Sequence, residues 1–282
     1  MTKTTIAPGI ATAAPVRDVT RPRRRYALLL LGLPLACALL GPWFADPTGP
    51  RLGAYAPAGA ELPLGSDFVG RDVVDQVLLG GRTVVLVGGG AAVAAYLVGV
   101  PWGMAAAAAR RRWVDEALMR PLDVLLSVPS LLTLLLVAGL ARPGPWVLGG
   151  VVALIMLPEV ARISRAAALE AASGPAMEAM RLTGESWWRR NFRYLGGAVL
   201  PTLSADFGMR VVGALYLVAS AAFLGVGVAP DAADWAVMVD RNRPGLFLQP
   251  WAVLVPALLV TALSVGLNVL FDQALARRRE TS

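Results

Sequence analysis

The chain has 282 residues, of which 56% are hydrophobic and 16% are charged, and its net charge is +7. A soluble domain of this length is less apolar, so the composition predicts a membrane protein. With no histidine and a single cysteine, Cys37, the chain excludes an intrachain disulfide and a cysteine metal cluster and lacks the usual general base, so neither a metal site nor a cofactor is expected.

Six apolar blocks are long enough to cross a bilayer, which takes roughly 20 residues each. The predicted fold is therefore all-α and polytopic, with about six transmembrane helices. Residues 1–25 are expected to form a flexible basic tail, residues 26–276 a membrane domain and residues 277–282 a second tail. The predicted spans are 26–44, 83–109, 121–140, 146–160, 203–228 and 250–270.

Basic residues predict the orientation of these spans. With the N-terminus inside, nineteen of the 26 lysines and arginines fall on inner segments, six fall outside and Arg210 lies within a span. Such a positive-inside bias places both termini in the cytoplasm. The net charge is then explained by topology and anionic lipid, and no nucleic-acid partner is needed.

The polar segment 170–200 lies between the fourth and fifth spans and carries signals for a short helix. Pro175 suits the first helical position, and Gly184 suits the left-handed residue just after the end. An isolated helix of this length is unstable in water, so it is expected to rest on a partner or, alternatively, on the lipid surface. Its small apolar face is predicted to comprise Ala176, Ala179, Met180 and Thr183.

Charged residues within apolar spans are costly and tend to be functional. Asp206 and Arg210 stand four residues apart on the fifth predicted helix, which allows them to pair on one face. A proton-coupled carrier would need a lone acidic residue deep in a span, and Asp206 is the nearest candidate. Structural pairing is the simpler interpretation.

Sequence motifs for catalysis are absent. No Gly-rich phosphate loop ends in Lys-Ser or Lys-Thr, the single lysine is Lys3, and no Gly-x-Ser-x-Gly occurs. We therefore expect a chain that neither binds ATP nor catalyses a covalent reaction, and no catalytic residue is assigned.

Several segments resemble one known family. Glu178-Ala179-Met180 followed by Gly184 resembles the loop Glu-Ala-Ala-x-x-x-Gly of bacterial ABC-importer permeases, and the segment 157–165 resembles the Pro-x-x-Ala-Arg-x-x-Arg sequence that precedes it. Further similar segments are 64–72, 119–130, 223–227, Asp234-Trp235, and Asn268 with Asp272. The chain is thus identified as similar to inner-membrane permeases of ABC importers, in particular the C-type permeases of dipeptide, oligopeptide and nickel systems.

The resemblance implies a type I importer fold in the bacterial cytoplasmic membrane. It also implies partners, namely a second homologous permease, two cytoplasmic ATPase subunits, an extracytoplasmic solute-binding protein and membrane lipid. The cargo is expected to be a di- or oligopeptide. Nickel, a metal chelate or another small solute remains an alternative, as does a secondary carrier that works without ATPases.

Residue roles follow from the same resemblance. Coupling to an ATPase is expected through a helix at 175–183. Residues at the end of the preceding span and in the segment after the helix are expected to hold it in position. Glycines at 196 and 197 replace the usual Leu-Pro and are expected to loosen the exit from the loop. The expected coupling residues are Pro175, Glu178, Ala179, Met180, Arg181 and Gly184; the supporting ones are Arg162, Arg165, Trp188, Arg189 and Pro201; and exposed docking residues for the binding protein are Asp231, Asp234 and Trp235.

Overall fold

The computed structural model of the chain describes residues 20–46, 48–49, 51–60, 62–109, 111–141, 144–229 and 231–280. Throughout these ranges the elements are helical. In chain order the helices are α1 Thr20–Leu40, α2 Val73–Ala107, α3 Arg112–Ser127, α4 Ser130–Ala141, α5 Pro145–Ala172, α6 Pro175–Leu182, α7 Leu195–Phe223, α8 Trp235–Asn242 and α9 Trp251–Glu280.

Helix length and hydropathy identify the membrane-crossing elements. Within the described ranges, four helical stretches are long and apolar enough to span, and a bent pair of helices would make a fifth. The apolar helical stretch Leu28–Trp43, which begins within α1 and ends three residues after it, is shorter than the other candidates. These helices confirm the predicted all-helical, polytopic membrane fold. The four are Val73–Ala107, Pro145–Ala172, Arg189–Phe223 and Trp251–Phe271.

The third predicted span, 121–140, is broken. Helices α3 and α4 meet at an angle of 82°, and Val128 between them has extended backbone angles, φ −96° and ψ 125°. Pro129 explains the break, because the proline ring disfavours helical angles at the residue before it. The predicted span 121–140 is therefore divided into two helices by a bend, and the proline that causes it is visible in the sequence.

Other helices extend beyond the predicted limits. Helix α1 begins at Thr20, so residues 20–25 are helical rather than part of a flexible tail, whereas residues 1–19 of that predicted tail lie outside the described residues. Helix α5 continues from the membrane into the inner loop as far as Ala172, and α9 continues to Glu280. The arginines in these extensions are good helix formers, so no local signal ends the helices at the hydrocarbon boundary.

The central core is built from α2, α5 and α7, with Leu134 of α4. Helices α2 and α5 approach closely because two glycines of α2 face α5. A Cβ atom at Gly99 would lie 2.9 Å from Val160, and one at Gly103 would overlap the carbonyl oxygen of Ala161. Small residues of this kind allow close packing of membrane helices. Many large apolar side chains on the outer faces are exposed, as expected of a surface that lipid covers.

An outer cap, formed by residues 51–60, 62–72 and α8, covers the extracytoplasmic ends of α2 and α9. Asp67 is buried and accepts hydrogen bonds from the backbone of Val69 and Arg71 and from the Arg71 guanidinium. Asn242 at the end of α8 accepts a bond from the backbone of Phe68 at 2.9 Å. These bonds attach the loop before α2 to the segment that follows α7.

Helix α8 is held in the outer cap by its first two residues. Asp234 caps the helix by accepting bonds from the backbone N–H groups of Ala236 and Val237 at 2.9 and 3.2 Å. The Trp235 ring is fully buried and donates from Nε1 to the carbonyl oxygen of Val77 at 2.8 Å. Glycine at position 80 makes room for this ring, since a Cβ atom there would lie 2.9 Å from it.

We predict that Gly103→Ala lowers the thermal unfolding midpoint of the detergent-solubilised protein. The added methyl group would meet the Ala161 carbonyl, and overpacking of this kind costs about 1–3 kcal/mol. Gly90→Ala, on the same helix but with no atom within 4 Å of the added carbon, is the matched control and should leave the midpoint unchanged or slightly raised. Equal midpoints for the two variants would contradict the close packing of α2 and α5.

We also predict a pH-dependent contribution of Asp234 to stability. Burial raises the pKa of this carboxyl from 3.8 to about 6, against the lowering effect of its two backbone hydrogen bonds. Between those values the folded state binds more protons than the unfolded state, so the free energy of unfolding falls as pH rises from about 4 to about 6.

The measurement is the unfolding midpoint of wild type minus that of Asp234→Asn, followed from pH 4 to pH 7. Asparagine can still cap the helix but cannot ionise. All other groups titrate in both proteins, so their effects cancel in the difference. The difference should become more negative up to about pH 6 and then level off. A difference that does not vary with pH would show that Asp234 titrates near its ordinary value.

Candidate functional site

Helix α6 lies in the inner loop and has well-defined ends. Gly174 precedes it with extended backbone angles and Pro175 occupies its first position. At the other end Gly184 has φ +72°, as the sequence predicts. Its N–H donates to the carbonyl oxygen of Arg181, and the N–H of Glu185 donates to that of Met180. These two bonds form a Schellman motif, which stops the helix and turns the chain.

One side chain of α6 is buried and most of the others are exposed. Met177 is 3% exposed and lines a cleft with Ala107 and Ala108 at the inner end of α2. The exposed surface is small and partly apolar, with Leu182 84% exposed at its end. The expected coupling residues Pro175, Glu178, Ala179 and Arg181 are exposed, and Met180 is half-buried.

Two functional residues of this helix, Leu182 and Met177, were not identified from the sequence. Leu182 follows Ala179 by three residues and so continues the predicted apolar face, a spacing that could have identified it. Met177 attaches the helix to the protein, and its role depends on the position of α2, which local sequence does not reveal.

After the turn at 183–186, the chain returns to the membrane as one continuous helix that begins at Trp187. Arg189 pairs with Glu185 at 3.1 Å and its backbone N–H donates to the Ser186 hydroxyl at 3.3 Å. A π-helical stretch, Arg189–Tyr194, then leads directly into α7. The helix that begins at Trp187 therefore has no end of its own in the loop and continues into the next span. The Trp187 and Trp188 rings pack edge to face with centroids 5.9 Å apart.

The glycines at 196 and 197 lie in the first turn of α7, and nothing lies within 4 Å of a Cβ atom built at either. They are therefore accommodated in the helix and mark no break in it. Pro201 is exposed further along the same helix.

Arg162 and Arg165 join α5 to α3 rather than contacting α6. Arg162 pairs with Asp123 at 2.6 Å, and Arg165 makes a two-bond pair with Asp115 whose Nε–Oδ1 distance is 2.7 Å. The first pair is about half exposed and contributes little to stability. The Arg165–Asp115 pair is more buried and links α3 to the inner half of α5.

Asp206 and Arg210 are brought together within the membrane. The Arg210 Nε donates to Asp206 Oδ2 at 3.0 Å. Two residues from other helices complete the network: the Tyr96 hydroxyl of α2 donates to the same oxygen at 2.6 Å, and Arg210 Nη1 pairs with Glu159 of α5. The sequence places Asp206 beside Arg210 through helical spacing, whereas the long-range partners Tyr96 and Glu159 have no local signal.

Two of the three expected docking residues, Asp234 and Trp235, are not exposed, so that expectation was wrong for them. Asp234 and Trp235 are both fully buried in the outer cap, because the aspartate caps α8 and the tryptophan packs against α2. Asp231 is exposed, and its carbonyl oxygen accepts a hydrogen bond from Arg71 at 2.7 Å.

Comparisons with known proteins agree with this architecture. The chain is 30% identical over 248 residues to the probable D,D-dipeptide transport system permease protein DdpC of Escherichia coli, covering 86% of this chain and 83% of that protein. It is 27% identical over 248 residues to the oligopeptide transport system permease protein OppC of Bacillus subtilis, covering 87% and 81%.

A solved structure shows the same fold. A chain of the MetNI methionine ABC transporter, in inward-facing conformations, superimposes with a TM-score of 0.58 at 15% sequence identity, covering 70% of this chain and 94% of that one. The helical architecture is therefore that of a type I importer permease.

A family model also matches residues 99–280, which include the inner loop, α7 and α9. This range contains the helix α6 and the Gly184 turn described above. The chain belongs to the family of binding-protein-dependent transport system inner membrane components, the multi-pass permeases of ABC importers in the bacterial inner membrane.

Proposed function

We propose that this chain forms the translocation pathway of an ATP-driven peptide importer, to which ATPase subunits are coupled through α6. The observation that carries the coupling is the exposed, partly apolar surface of a short helix on the cytoplasmic side. Ala176 and Ala179 are exposed, and Leu182 is 84% exposed. A helix of eight residues with such a surface gains stability when a partner's groove covers it.

The chain between α5 and α6 supports transmission of force. Ser173 donates to the carbonyl oxygen of Leu169, Gly174 to that of Ala171, and the Met177 N–H to that of Gly174. Hydrogen bonds thus continue through the turn, and a displacement of α6 would move the inner end of α5. Because α5 packs tightly on α2, the displacement would reach the centre of the membrane domain.

Mechanistically, ATP binding supplies the free-energy difference between two conformations. When the two ATPases close on ATP, the coupling helices of the two permeases move together, and the membrane helices change from inward-open to outward-open. Glu178 would contact polar groups at the rim of the ATPase groove, with Ala179 and Leu182 inside it. No chemical step falls to this chain, since hydrolysis belongs to the ATPases.

The named relatives transport dipeptides and oligopeptides, and we extend that cargo class to this chain. Nickel, a metal chelate or another small solute is the alternative, since the external binding protein selects the cargo. For a secondary carrier, Asp206 would have to act as a proton site, yet its carboxylate is occupied by both Arg210 and Tyr96.

Docking of the solute-binding protein is proposed on the exposed part of the segment 229–249. Asp231 is its acidic candidate, next to the Arg71 guanidinium. A second homologous permease would complete the pathway, and lipid would surround the remaining apolar surface.

We predict that Gly184→Val uncouples ATP hydrolysis from uptake. The left-handed backbone at this position, φ +72°, is strongly disfavoured for a β-branched residue, so the turn and the angle of α6 should change. Reconstituted transporter should lose uptake of a labelled peptide by about tenfold or more while assembled ATPases retain hydrolysis.

Gly184→Asn is the matched control, because asparagine tolerates the left-handed region. It should keep most of the uptake. Normal uptake by Gly184→Val would contradict a coupling role for the turn, and equal loss in both variants would assign the effect to the lost glycine itself rather than to backbone geometry.

A further inference from the structure

We propose that a stripe along α7, formed by Arg210, Gly213, Tyr216 and Ser220 together with Glu159 of α5, lines the aqueous pathway and gives it a net negative charge. The proposal rests on the function proposed above, since it assigns the surface that cargo passes. We call this set of residues the polar stripe.

Glu159 and Arg210 lie at the same depth in the membrane. Glu159 follows Pro145, the start of α5, by fourteen residues, which is about 21 Å at roughly 1.5 Å per residue. Arg210 precedes Phe223, the end of α7, by thirteen residues, which is about 20 Å on the same scale. In a hydrocarbon layer about 30 Å thick, the two paired groups therefore lie at the same depth, in its inner half.

Glu159 is the more exposed member of this ion pair. The Glu159 side chain is 48% exposed and the Arg210 side chain 22%. A half-exposed carboxylate at this depth is costly against lipid tails and also costly in a dry apolar contact with a second subunit. Water satisfies it, so the side of the helix pair that carries Glu159 faces a water-filled space.

Four residues of α7 form a continuous line on one side of the helix. Residues 210, 213, 216 and 220 follow one another by three or four positions, so they form one line along the helix. Tyr216 is 63% exposed. Toward the outside the line enters a groove of about 450 Å³ with mainly apolar walls, in which Tyr216, Ser220 and Ser264 of α9 supply the side-chain hydroxyls. The polar stripe thus leads from the charged network to the underside of α8.

The charge of the pathway follows from the network. Two carboxylates, Asp206 and Glu159, share the single guanidinium of Arg210. Tyr96 adds a hydroxyl donor and no charge. With both carboxylates ionised, these three groups carry one net negative charge, and Glu159 is its exposed part. The pathway should therefore favour positively charged groups, such as the ammonium group of a peptide, over negatively charged ones.

The test is cysteine accessibility in membrane vesicles that contain the assembled transporter. Cys37 is the single native cysteine, so Cys37→Ala provides a thiol-free background. Tyr216→Cys reports on the polar stripe. Leu97→Cys is the matched control, because Leu97 is 72% exposed and follows Tyr96, which touches the network, so it lies at the network's depth on another face.

Each variant is treated with membrane-impermeant methanethiosulfonates, one cationic and one anionic. Residue 216 should react and residue 97 should not. A single charge roughly 12 Å away, at a dielectric constant of about 40, should raise the cation-to-anion rate ratio about tenfold above that of a free thiol. Glu159→Gln should abolish this preference, and Glu159→Asp should retain it, which separates lost charge from lost assembly.

Residue 216 as unreactive as residue 97 would overturn the pathway assignment. Reaction with no charge preference, or with a preference that Glu159→Gln leaves intact, would overturn the electrostatic part. Adding ATP separates this proposal from the preceding one: accessibility and charge preference that do not respond to ATP would support the polar stripe and count against coupling through α6.

Discussion

Helices α2 and α5 can lie as close as they do only because two positions on α2 have no side chain. A Cβ atom at Gly103 would overlap the carbonyl oxygen of Ala161, and one at Gly99 would press on Val160. This contact fixes the inner end of α2, against which Met177 of α6 is buried. It also sets the position of Tyr96, whose hydroxyl reaches α7. The inner loop and the charged network both depend on one close helix approach.

Charge satisfaction within the membrane organises the remaining helices. The guanidinium of Arg210 joins α7 to α5, and the Tyr96 hydroxyl joins α2 to the same network. Nearer the inner side, Arg162 and Arg165 join α5 to α3. An unpaired charge within the membrane is expensive, so the network around Arg210 determines which faces of α2, α5 and α7 meet there. Where a charge is left half exposed, as at Glu159, the same constraint identifies the side that water reaches.

Sequence reasoning succeeds where a signal is local. The Pro175 start and the Gly184 turn of α6, the pairing of Asp206 with Arg210 and the all-helical class follow from single residues and short spacings. It fails where the outcome depends on tertiary position: Asp234 and Trp235, expected to be exposed, are buried because α2 provides a slot at Gly80. The break at Val128–Pro129 had a local signal that hydropathy alone conceals.

The central claim is that the exposed face of α6 contacts an ATPase, and residue-specific photocrosslinking tests it most directly. In one variant a photoreactive amino acid replaces Ala179, which is exposed on α6. In the control variant it replaces Leu97, which is exposed on α2. In native membranes the account predicts a crosslink from position 179 to an ATPase subunit and none from position 97. Crosslinks from position 179 only to lipid would contradict it.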